Sequence, residues 1–105
     1  NVDGKTIVFA GDQDGSEKSL ARLASGADVL VLHMPVPEDA GPRARALHAI
    51  PSRLGEQASS AKVKRVILSH FMARSLANID DNLRAFDSEF DGEYLPAVDL
   101  LCVCL

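Results

Sequence analysis

No apolar run in the 105 residues approaches the roughly 20 that a membrane-spanning helix needs, so a membrane protein is set aside. The opening NVDGKTIV lacks the pattern of a signal peptide, and a cytoplasmic location is the expectation. No internal repeat and no low-complexity segment is present, which sets aside solenoids and linkers. Basic residues are in deficit: Lys and Arg number 11 against 15 Asp and Glu, for a net charge of −4. Proteins that hold nucleic acid by electrostatics usually carry the opposite balance, so nucleic acid is not an expected partner. Anionic substrates stay open, because a bound metal supplies local positive charge.

Cysteine is scarce too. The two residues, Cys102 and Cys104, fall in the terminal LLCVCL. On a strand that spacing points both thiols the same way, which does not suit a mutual disulfide. They read as small apolar residues of a buried strand; a thiolate metal site would want a second cysteine pair.

What is present is a globular composition, 47% hydrophobic, in a length that suits one domain. Strand and helix signals alternate. Residues 5–10 (KTIVFA) predict a strand, and 16–24 a short helix with Leu20, Leu23 and Ala24 inward, stopped by Gly26. Residues 28–33 (DVLVLH) are apolar throughout, as expected of a strand covered on both faces. A loop with three prolines follows over 34–49, and loops this long in compact domains are often functional. Pro51 suits the first position of a helix running to about Ala61, with Leu54, Ala58 and Ala61 inward. Residues 64–70 (KRVILSH) predict a third strand. Leu76, Ile79, Leu83, Phe86 and Phe90 then recur at helical spacing, and one or two short strands close the chain.

Strands separated by helices imply an α/β fold with mostly parallel pairing and helical crossovers. Parallel strands end on one edge, and sites form there. Here they end in Gly11-Asp12, His33 and Ser69-His70, so candidate ligands crowd a single edge. Carboxylates can bridge two metals, and imidazole suits zinc and iron. Asp12 and His70 are therefore the candidate metal ligands. His33 reads equally well as a satisfied rim histidine, and His48 on its own as a surface one. Asp14 and Ser16 fit a turn in which a side chain caps the next helix. Arg43, Arg45, Arg53 and Arg74 could hold an anion at this edge, but scattered arginines are usually solvated.

The ordered series VFAGD, ADVLVLH, a histidine before a helix, AKVKRVILSHF and DGEYLPAVDLL resembles the C-terminal half of the metallo-β-lactamase superfamily, in its ribonuclease Z and arylsulfatase-like branch. The resemblance spans about Lys5 to Val103. It implies one βα layer of an αββα sandwich, with Asp12 as the aspartate that bridges two divalent ions and His70 as the last histidine ligand. His48 would steady the transition state or leaving group. His33 matches the histidine of an HE pair, and Phe71 and Arg74 fit the HFxxR continuation. The implied ions are zinc, with manganese or iron as alternatives. The implied reaction is hydrolysis of an ester, amide or phosphodiester by a hydroxide shared between the ions.

Met34, Ala49, Ile50 and Ser75 depart from that branch's pattern and turn the expectation from tRNA processing to a small-molecule substrate. The family's HxHxDH motif is missing, and the chain holds no H-x-H pair. The expectation is that the N-terminal half of the fold lies outside this chain. A second polypeptide or a homodimer could cover the face that half would bury. The isolated chain would then be an inactive half-domain and packing partner. A rival resemblance reads DQDGS (12–16) as the DxDGT start of haloacid-dehalogenase-type phosphatases, with Asp12 as nucleophile, Asp14 as acid, Ser69 on phosphate and magnesium as the ion. It lacks the required lysine and later acidic pair, and leaves His70 unexplained.

Overall fold

The computed structural model describes residues 1–105. Four strands, β1 (Ile7–Phe9), β2 (Val29–His33), β3 (Arg65–Ser69) and β4 (Glu93–Pro96), form one sheet in chain order. Every neighbouring pair is parallel. Five helices connect them: α1 (Lys18–Leu23), α2 (Pro42–Arg45), α3 (Pro51–Ala61), α4 (Ala73–Leu76) and α5 (Ile79–Asp87). The α/β reading and its parallel pairing therefore hold.

Register sorts the strand residues onto two faces. Val8, Leu30 and Val66 align in one row and Leu32 with Leu68 in another. These five, with Leu54, Ala58 and Ala61 of α3 and Phe86 of α5, make the core. All the packed helices thus lie on one side of the sheet, with α3 between α1 and α5. The alternate rows point the other way: Ile7 with Val29, and Phe9 with Val31, Ile67 and Leu95. Phe9 is 75% exposed. Val66 and Leu68 therefore lie on the opposite face from Ile7 and Phe9, because a step of one residue along a strand changes the face.

The tail after β4 turns back over this second face. Arg65 donates from Nη1 to the Cys104 carbonyl at 2.8 Å, and Leu105 lies beside Val29, which is only 3% exposed. No strand forms there, and Cys102 and Cys104 are exposed rather than buried. Other expectations need correction as well. The first strand is limited to three residues, and Leu23 faces solvent because α1 is a short helix at the sheet's margin. The long loop holds the single turn α2.

The helix expected to carry Leu76 through Phe90 is broken at Asn78, whose φ of −127° is not helical. Asn82 repairs the break by donating from Nδ2 to the Ser75 carbonyl at 2.8 Å. Leu76 is left exposed on α4, and the apolar stripe starts at Ile79. Asn82 also accepts the Glu38 N–H at 3.0 Å, and Glu38 accepts the Ser52 N–H at 2.9 Å. The chain leaving β2 is thereby fastened to both α3 and α5, which fixes the edge where the candidate ligands emerge.

Candidate metal centre

Three strand ends deliver the site. Gly11, at φ +66°, turns the chain after β1 and presents Asp12. His33 is the last residue of β2, level with Ser69 of β3. His70 follows with φ +57°, a left-handed conformation that costs a residue bearing a Cβ energy and recurs at functional positions. Sheet hydrogen bonds hold this edge: Ala10 N–H donates to the Val31 carbonyl at 3.0 Å and Met34 N–H to the Ser69 carbonyl at 2.8 Å.

Asp12 and His33 touch, with Oδ1 and Nδ1 2.8 Å apart. An ionised carboxylate can only accept, so the proton sits on Nδ1 of His33. That hydrogen bond is the main reason the Asp12 carboxyl is held below the usual carboxylate range; the charges of His33, His48 and His70 add to it, and slight burial opposes it. The His33 and His70 rings lie 4.7 Å apart between centroids. One donor atom from each of Asp12, His33 and His70 falls within 4.8 Å of the others. Ligands of one divalent ion sit about 2.0–2.2 Å from it and hence at most about 4 Å apart, so small side-chain rotations bring the three together. A carboxylate already ionised and two imidazoles are a donor set that fits zinc, iron or manganese.

His48 stands beside them. Its Nδ1 is 3.7 Å from Asp12 Oδ1 and is buried without a hydrogen-bond partner. The ring also borders a cleft of about 470 Å³ with Asp14, Arg45, Ser52 and Arg53 along its walls. Asp14 itself is engaged elsewhere. Its Oδ1 accepts the Ser16 N–H at 2.8 Å and the Ser16 hydroxyl, which lowers its pKa. It closes a turn ahead of α1 and caps Ser16 rather than the helix, whose first residue has no side-chain cap. The phosphatase-type pairing of Asp12 with Asp14 thus finds Asp14 outside the ligand group, and Ser69 Oγ donating to the Leu32 carbonyl at 3.3 Å. Among the arginines, Arg74 donates to the Pro35 carbonyl and Arg53 to the Gly15 carbonyl and Glu56, so both brace loops.

Two residues escaped the sequence reading. Gln57 is 7% exposed and exchanges two amide hydrogen bonds with Gln13, at 3.0 and 2.9 Å. The available signal was that Gln57 occupies an inward position of α3, three residues after Leu54 and four before Ala61, where an apolar residue is expected.

No family model matches this chain, and no curated protein matches it. Among solved structures it is similar to a protein with the metallo-β-lactamase fold. The chain thus has half of that fold: one parallel sheet with its helices. That structure is the metallo-β-lactamase fold protein YhfI from Bacillus subtilis, at TM-score 0.77 and 21% identity, covering 90% of this chain and 37% of that one. The chain therefore spans little more than a third of that structure's length.

Proposed function

We propose that this chain is the C-terminal half of a metal-dependent hydrolase of the metallo-β-lactamase superfamily, in the ribonuclease Z and arylsulfatase-like branch. The observation that carries the reading is the meeting of Asp12, His33 and His70 at one sheet edge, with His48 next to Asp12. Asp12 and His70 hold divalent metal, two ions in the assembled site, zinc in the first place and manganese or iron as alternatives. Such ions acidify water and polarise the bond to be split. His33 keeps its Nδ1 proton on Asp12 and fixes the direction of the carboxylate. His48 has Nδ1 directed at Asp12, which leaves Nε2 as the atom that gives a proton or hydrogen bond to the leaving group in the cleft. The substrate is a small molecule with an ester, amide or phosphodiester bond.

The remaining ligands come from the other half of the fold, in the same polypeptide or in a second chain, and that half covers the face bearing Phe9, Val31 and Ile67. Asp12→Ala in the complete protein is expected to abolish hydrolysis and lower the bound metal measured by elemental analysis. Unchanged metal stoichiometry in the variant would remove the ligand role.

A further inference from the structure

The turn that carries Asp12 is held by a side chain far away in sequence. Gln57 projects from α3 and its amide both donates to and accepts from the amide of Gln13. The Gln13 Oε1 also accepts the Gly15 N–H at 2.8 Å, which shapes the turn. The Gln13 carbonyl accepts the Ala49 N–H at 2.7 Å. That backbone bond joins the residue after Asp12 to the residue after His48. The turn is also pressed against α3: a Cβ on Gly15 would lie 2.6 Å from Arg53 Cγ.

We infer that Gln57 is a positioning residue, which acts through Gln13 to set the direction of Asp12 and its spacing from His48. It touches neither metal nor substrate. A buried amide at an inward helix position is costly unless each of its groups finds a partner, and Gln13 supplies both an acceptor and a donor. An apolar residue at 57 would pack against α1 and the sheet without aiming the turn. The amide pair fixes Gln13 against α3 and the backbone bond fixes it against Ala49, and Asp12 and His48 lie one residue from Gln13 and Ala49 respectively. This inference rests on the reading of Asp12 as a metal ligand.

The test uses the 105-residue chain with Cys102→Ser and Cys104→Ser as background, so that the exposed cysteines do not compete for metal. Gln57→Leu and the double variant Gln13→Leu/Gln57→Leu are compared with that background by cobalt(II) titration followed by visible absorption, and by thermal melting without metal. Removing the outer support of a metal ligand typically weakens affinity about 10–100-fold. Gln57→Leu is expected to weaken cobalt binding at least tenfold and to alter the absorption band. The double variant leaves neither amide buried without its partner, so it is expected to regain melting temperature but not affinity or band shape. Affinity that tracks melting temperature across the three proteins, or that does not change in Gln57→Leu, overturns the inference. A background protein that binds no cobalt removes the metal reading instead. Positioning is then read from exchange of the Ala49 amide and the nitrogen shifts of the His48 ring: faster exchange with moved shifts supports it, and unchanged values overturn it.

Discussion

The two faces of the sheet are made from the same strands and from similar aliphatic side chains, but they meet different surroundings. On one face Leu30, Leu32, Val66 and Leu68 are fully buried beneath the helices. On the other, Phe9 stands in solvent, Val31 and Ile67 are half-buried, and the 97–105 tail reaches Arg65 through the Cys104 carbonyl. Burial of an apolar side chain stabilises by about 1.5–3 kcal/mol, and an exposed one contributes none of it. An unbroken aliphatic run such as the VLVL of β2 is what a sheet covered on both sides requires. On the proposed reading a second layer would cover this face, and the candidate site lies at the rim where that layer would meet this one.

The largest effect that sharpens the contrast comes from truncation on each face. Leu32→Ala is expected to cost about 2–5 kcal/mol in urea unfolding, the range for a fully buried leucine. Phe9→Ala should stay within about 0.5 kcal/mol, as at ordinary surface positions. With both variants measured well below the concentration at which the chain associates, equal losses at the two positions would break the comparison and mean that the open face is covered within the single chain. The isolated chain is also expected to self-associate at micromolar concentration through that face, and Phe9→Ser to shift it toward monomer in light scattering. A clean monomer with cooperative unfolding would count against the two-layer reading.

A smaller effect separates the site turn from the rest of the covered side. Gly15 has φ +84°, and an added Cβ would meet Arg53 Cγ at 2.6 Å and Ala49 Cβ at 3.2 Å. Gly15→Ala should therefore cost about 1–3 kcal/mol, the range for a residue forced into a strained conformation. Gly41 has no atom within 4 Å of such a Cβ. Gly41→Ala should be close to neutral, and differential scanning calorimetry on the pair checks the difference.

The smallest effect is acid dependence. Asp12 lies at the carboxyl edge, held low chiefly by the His33 hydrogen bond, and Asp28 at the amino edge, held low chiefly by Lys64. A carboxyl whose pKa is lower folded than unfolded binds fewer protons when folded, so stability rises with pH between the two values. The contribution is complete above the unfolded value of about 4 and is lost as pH falls through the lowered folded values. Asp12→Asn and Asp28→Asn should each flatten part of that acid decline in melting temperature. A decline of the same steepness in both variants would assign it to other groups.

Much of this molecule was legible along the chain. The apolar run before Asp12, the strand ending in His33 and the one ending in His70 carry their own period and stops, and parallel pairing places their ends together. Leu54, Ala58 and Ala61 announce the inward side of α3 by spacing alone. The failures share a cause. Leu76 fits the spacing of the following stripe, but the backbone turns at Asn78, and Asn82 takes the freed Ser75 carbonyl across seven residues. The terminal cysteines look like a strand, yet β4 ends at Pro96 and the tail has no strand neighbour.

The amino-acid sequence by itself determined the order of strands and helices and which edge bears Asp12, His33 and His70, because periodicity and strand ends are local properties. Tertiary structure alone decided which face receives the helices, since an all-apolar strand offers both. It also decided that Gln57 meets Gln13 across 44 residues. That contact exists only once α3 docks on the sheet, and no local pattern of either glutamine encodes it.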